Sequence, residues 1–147
     1  MLEIRKMTID DKQEVLDMMR VFYASPAVST NGSDQIFIND IDNCVNECPF
    51  LEGYVFTDED KILGYGMLAK SYSTEFGKPC IWIEDVYIKS ECRGLGIGSK
   101  FLAFIEENFS NCLLRLEVEE DNEAAVHVYK KNGFDFLPYQ EMKKELK

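Results

Sequence analysis

The chain has 147 residues, with 16 Lys and Arg set against 27 Asp and Glu and a single His, a formal net charge of −11. That length fits one domain, residues 1–147, around one core, and an apolar content of 46 % belongs to a globular fold, not a disordered chain. The acidity excludes sequence-independent binding to nucleic-acid phosphates and to anionic membrane surfaces, and it permits a cationic partner.

Leu2 to Met7 alternates and predicts a first strand. Thr8 offers an N-cap, and Val15, Leu16, Met18, Met19, Phe22 and Tyr23 then recur at helical spacing up to Pro26. Ser33 and Asp34 open a second helix, carrying Ile36, Phe37, Ile38, Ile41 and Val45, that stops before Pro49. Gly53 to Thr57, the turn 58–61 and Ile62 to Ser71 read as an antiparallel pair. Ile81 to Ile88 is a β-prone central strand. A glycine cluster at 94–98 precedes a third helix through Phe101, Leu102, Phe104, Ile105 and Phe109. Leu113 to Val118 predicts a strand, Asn122 to Lys131 a helix ended by Asn132-Gly133, and 134–137 with 141–146 a closing strand pair. The order β-α-α-β-β-β-α-β-α-β-β is an α/β (α+β) arrangement around a mixed sheet.

No stretch approaches the ~20 apolar residues of a membrane span. The start Met1-Leu2-Glu3-Ile4-Arg5 lacks a basic segment followed by an apolar one, so no secretory signal is read. Five cysteines without framework spacing predict reduced thiols and a cytoplasmic location. Cys44 and Cys48 lie one helical turn apart without further ligands, and His127 stands alone, so no metal is expected.

The chemistry concentrates in Arg93-Gly94-Leu95-Gly96-Ile97-Gly98-Ser99-Lys100, between a strand and a helix. Glycines let the backbone approach a ligand, and a helix start adds free N–H donors and partial positive charge. Together they make a seat for phosphate oxygens, with Arg93 as a charged donor at the rim. Ser99 stands where a P-loop and a dinucleotide fingerprint each require glycine, so both motifs fail.

The loop reads Arg93-x-x-Gly96-x-Gly98. It follows Ile83-Glu84-Asp85-Val86-Tyr87-Ile88 and precedes Asn122-x-x-Ala125-x-x-x-Tyr129-x-x-x-Gly133-Phe134. This combination resembles the GNAT superfamily of acetyl-CoA-dependent N-acetyltransferases, over nearly the whole chain. The Glu-Asp before the loop is similar to the diamine and polyamine acetyltransferase branch. The resemblance implies a GNAT fold with a mostly antiparallel sheet, splayed at the cofactor site. It implies acetyl-CoA as co-substrate, its pyrophosphate on the backbone N–H groups of Gly94, Leu95, Gly96, Ile97, Gly98 and Ser99. It further implies that Val86, Tyr87 and Ile88 pair with the pantetheine arm, that Asn122 and Ala125 contact the cofactor, and that Tyr129 sits beside its sulfur. Cys92 departs from the family, where an aromatic residue often stands. A homodimer is a common family state and is admitted on that ground alone.

Acetyl transfer to an amine needs a base, because an ammonium has no lone pair and alkyl amines titrate near 10. On strand 81–88 the period of two places Trp82, Glu84, Val86 and Ile88 on one face, which makes Glu84 the first candidate base. Glu117 is the second, and Asp85, pointing the other way, ranks lower. Tyr129 is the candidate acid for the leaving thiolate. From Val21 through Asp60 there are eight acids and no Lys or Arg, which predicts an acidic acceptor side, with Tyr23, Phe37 and Tyr54 as aromatic walls. The acceptor expected is a small, cationic primary amine. Three alternatives stand: a peptide N-terminus or lysine as acceptor, a non-catalytic acyl-CoA-binding domain, and a nucleotide-binding module of another fold.

Overall fold

A computed structural model describes residues 1–147. Strand β1 (Leu2–Lys6) leads through a single 3-10 turn into α1 (Lys12–Tyr23) and α2 (Asp34–Val45). Strands β2 (Leu51–Asp58), β3 (Lys61–Ser73) and β4 (Lys78–Ile88) follow, then α3 (Ile97–Asn108), β5 (Leu113–Leu116) and α4 (Glu123–Lys131). Local chemistry marks the boundaries. Asp11 accepts from the Thr8 N–H at 2.8 Å and binds both terminal nitrogens of Arg5, so the start of α1 is tied to β1. Ser33 caps α2 by accepting from the Ile36 N–H at 3.3 Å.

The sheet order is β1-β2-β3-β4-β5; the first three pairings are antiparallel and β4–β5 is parallel. Cores lie on both faces. One packs Val15, Met18 and Met19 of α1 and Phe37 and Ile41 of α2 on Val55, Tyr65, Met67 and Tyr87. The other packs Ile97, Phe101, Leu102 and Ile105 of α3 on Tyr54, Phe56, Leu68, Ile81 and Ile83. No helix is long and apolar enough to cross a membrane.

Two features of the sheet position the site. The β4–β5 pairing ends at Ile83↔Leu116 while β4 runs on to Ile88, so the strands part and β4 keeps an open edge beyond Ile83. That is the splay the resemblance implies. The second feature is a bulge: Met67 pairs with Asp85 and Leu68 with Ile83, which leaves Glu84 without a partner.

The bulge overturns the period-of-two reading of β4. Ile81 and Ile83 share the α3-side core with Val86 and Ile88, whereas Tyr87 lies in the core under α1 and α2. One extra residue exchanges the faces, so Glu84 does not stand in line with Val86 and Ile88.

The closing strand pair is also absent. Residues 134–147 follow α4 without strand pairing, and Met142 and Leu146 are almost fully exposed. Pro138 removes a ladder donor, and Lys143-Lys144-Glu145 breaks the alternation needed to bury one face.

Candidate active site

The glycine loop forms a donor cradle. Gly94 and Gly96 take φ +80° and +76°, a left-handed conformation that side chains resist, and a Cβ added to either meets nothing within 4 Å. The space above the backbone is therefore open. Helix α3 starts at Ile97, and the first helical bond across this junction runs from the Lys100 N–H to the Gly96 carbonyl. The N–H groups from Gly94 to Ser99 precede it and donate to no other group of the chain. Six free donors at a helix N-terminus suit a pyrophosphate. The Ser99 hydroxyl accepts from the Asn132 side chain at 3.1 Å, which ties this helix start to the end of α4. Arg93 is turned differently from the rim role expected of it. Its Nε–H donates to the Ile88 carbonyl at 3.0 Å and its guanidinium lies 5.8 Å from the Tyr87 ring, so it closes the end of β4.

Where β4 and β5 part there is a cavity of about 1360 Å³. Glu84, Val86, Asn122, Ala125 and Tyr129 line it, whereas Tyr87, Ile88 and residues 93–99 lie outside its lining. Asn122 is the N-cap of α4: its Oδ1 accepts from the Ala125 N–H at 3.2 Å, which leaves its NH₂ for a ligand. Tyr129 is half-buried, packs edge-on to Phe134 at 5.8 Å, and its hydroxyl bonds to no protein group. Burial raises its pKa, so the phenol stays protonated at neutral pH.

The carboxylates are arranged in two groups. Asp85 is buried and accepts the hydroxyls of Tyr23 at 2.9 Å and Tyr65 at 2.7 Å. Burial pushes its pKa up, and the two phenols offset part of that rise. Glu84, at the bulge, titrates above the ordinary glutamate value through desolvation, then Asp85, then Glu141. Asp40 of α2 is pushed up to about 6 by desolvation and by Asp85 and Glu84. In the second group Glu117 lies beside Glu141 of the C-terminal segment, and that neighbouring carboxyl, with burial, pushes its pKa up to about 7. The sequence ranks Asp85 lower because the period of two points it away from Glu84, and its two phenol partners, on α1 and β3, are far away in the chain. The one local signal was an acidic pair inside an apolar strand.

Much of the predicted acidic side is neutralised. Asp34 pairs with Arg20, Asp42 with Lys12, Glu52 with Lys70 and Lys6, and Asp58 with the terminal amine, each cation coming from outside residues 21–60. Of the three expected aromatic walls, Tyr23 lines the cavity. Phe37 is buried behind it at 5.0 Å, and Tyr54 lies in the α3-side core.

The family model for the acetyltransferase (GNAT) family matches residues 16–134. The bovine (Bos taurus) thialysine N-epsilon-acetyltransferase is 41 % identical over 75 residues; the match spans 49 % of this chain and 44 % of the bovine protein. The chain thus aligns with less than half of that relative's length. Among solved structures, a possible acetyltransferase from Clostridium difficile 630 superposes with TM-score 0.83 at 20 % identity, covering 99 % of this chain and 97 % of the other. A predicted acetyltransferase from Clostridium acetobutylicum, solved with acetyl-CoA, gives 0.71 at 19 % identity, covering 97 % and 96 %.

Proposed function

The chain belongs to the acetyltransferase (GNAT) family, and from that premise we propose that it transfers the acetyl group of acetyl-CoA to a primary amine of a small, cationic acceptor, by direct attack in a ternary complex. The observation that carries this reading is the splay of β4 from β5, beside a cavity lined by both Glu84 and Tyr129. The bovine relative's name, a thialysine N-epsilon-acetyltransferase, supports an amine acceptor.

The chain's own groups supply each requirement. The six loop donors from Gly94 to Ser99 seat the pyrophosphate. Alternate residues of a strand direct their N–H groups to opposite neighbours, so one of Val86 and Tyr87 presents its N–H to the open edge. That donor pairs with the pantetheine arm or polarises the thioester carbonyl. Asn122 and Ala125 flank the arm from α4. Glu84, made more basic by desolvation and by Asp85, takes the proton from the ammonium. The amine nitrogen then bonds to the carbonyl carbon, the C–S bond breaks, the departing thiolate takes the Tyr129 proton, and the second proton released from the nitrogen as the amide forms returns through solvent to the Tyr129 oxygen. Holding the two reactants together supplies much of the acceleration.

An amine panel assayed with acetyl-CoA tests the assignment, with Tyr129→Phe as its probe. The variant loses its acid but keeps its ring against Phe134. Turnover falls about tenfold or more while CoA affinity holds. Equal turnover would return Tyr129 to a packing role.

A further inference from the structure

We propose that Asp85, by taking the hydroxyl proton of Tyr23, makes that hydroxyl an acceptor only, so that its oxygen receives an N–H of the attacking amine and leaves the amine's lone pair free for the thioester. The inference rests on the acetyl-transfer reading above. It adds Tyr23 as an acceptor-binding residue and Asp85 as the residue that positions it.

The chain buries two aspartates, Asp11 and Asp85. Asp11 is bonded through both oxygens to the Arg5 guanidinium. Asp85 pairs with no cation, and each of its oxygens accepts one phenol instead, Tyr23 at 2.9 Å and Tyr65 at 2.7 Å. A buried carboxylate without a cation is costly, and two hydrogen bonds offset part of that cost. Tyr65 is fully buried and serves the carboxylate alone. Tyr23 is half-buried and lines the cavity together with Asp85, Glu84 and Val86. Its ring stands edge-on to Phe22 at 5.3 Å and beside Phe37 at 5.0 Å, which fixes the place of its hydroxyl.

A phenol carries one proton and two lone pairs. Burial, and then Asp85, push the Tyr23 phenol above its ordinary range, so the proton stays on its oxygen and is directed at the carboxylate. What remains is acceptor capacity, strengthened because the O–H donates to an anion. An amine nucleophile is sensitive to that polarity. A hydroxyl free to rotate donates to the nitrogen lone pair, the pair that must reach the carbonyl carbon. With its proton held by Asp85, Tyr23 can only receive an N–H. Glu84, next to Asp85 in the chain and lining the same cavity, takes one proton of the ammonium. Tyr23 holds a second N–H, and the lone pair is turned to neither. Two fixed acceptors thereby orient the reactant.

Steady-state acetylation of cadaverine, spermidine and lysine, read on the alkaline plateau of the kcat/KM profile where Glu84 is ionised, tests this on whichever amine reacts fastest. Tyr23→Phe keeps the ring beside Phe22 and Phe37 and removes the oxygen. Its kcat/KM for the amine falls by about tenfold or more while the KM for acetyl-CoA holds. Tyr65→Phe removes a comparable bond to the same carboxylate, outside the cavity, and stays within about threefold of the wild type. Asp85→Asn puts an amide where the anion stood and frees the Tyr23 proton, and kcat falls by about tenfold. In the Tyr23→Phe background the same change costs little more, because Asp85 acts through Tyr23. A Tyr23→Phe variant equal to wild type would overturn the inference. So would a Tyr65→Phe variant slowed as much as Tyr23→Phe, the result of a purely structural cluster. Fully additive losses in the double variant would overturn the part given to Asp85. Should Asp85→Asn not fold, the two tyrosine variants decide. In each of these cases wild-type turnover leaves the acetyl-transfer reading standing, whereas no wild-type turnover of any amine sinks both.

Discussion

Gly96 combines a φ of +76°, which favours glycine, with open space where a side chain would point. The first alone costs an L-residue roughly 1–2 kcal/mol. The second shows that no protein group of this chain occupies the approach to the loop donors. Gly96→Glu places a carboxylate over those donors, so CoA binding measured by calorimetry falls by about a hundredfold or more. Circular dichroism separates this from unfolding, and unchanged affinity in a folded variant would refute the phosphate seat. This loop was legible in the sequence because its requirements are local: glycine spacing, a strand before and a helix after. The stacking of Arg115 on Trp82 is not legible in the sequence, because it needs the parallel pairing of β4 with β5, 33 positions apart in the chain.

At the scale of elements, sequence periodicity located β1 through α4 in their order and erred where one residue changes the period. The period of two sets Glu84 in line with Val86 and Ile88, and the bulge opposite Met67 and Leu68, which leaves no local mark, takes it out of that line. The C-terminal segment shows the reverse error: a weak alternation was read as strands where no pairing forms. That segment is instead held by side chains, through Tyr139 to Glu75 and Glu141 to Glu117. The second contact has a pH signature. Glu117 titrates near 7 in the fold, above the ordinary 4.5, because a neutral carboxyl can donate to Glu141 and a charged one is repelled. Between those values the folded state keeps a proton that the unfolded chain has lost. The stability Glu117 contributes is therefore complete below pH 4.5 and is lost as pH rises through about 7. In thermal melts across that range the wild-type Tm falls as pH increases, and Glu117→Gln, neutral throughout, flattens the fall. Parallel curves for the two proteins would show that the pair does not hold the segment.

Over the whole molecule, the charge of −11 is a net figure that hides its distribution. Seven of the eight acids in residues 21–60 carry no direct bearing on the site: Asp34, Asp42, Glu52 and Asp58 are paired with cations, Glu59 and Asp60 form the exposed β2–β3 turn, and Glu47 is exposed away from the cavity. The cavity is lined by eight acids that pair with no cation, Glu84, Asp85, Glu106, Glu117, Glu119, Glu120, Asp135 and Glu141, and by two cations, Arg115 and Lys130, each over an aromatic ring. An acceptor approaching the cavity meets a negative field from several directions. Such a field raises the local concentration of a cation and acts on encounter more than on the bound complex. Salt shortens its reach, from about 10 Å at 0.1 M to about 3 Å at 1 M. With acetyl-CoA saturating, kcat/KM for a dicationic amine therefore falls several-fold over that range while kcat holds. A zwitterionic acceptor such as lysine, with less net charge, gives a shallower slope on the same plot. Equal slopes for the two acceptors would mean that the acids act only by contact, and that the long-range part of the −11 serves solubility alone.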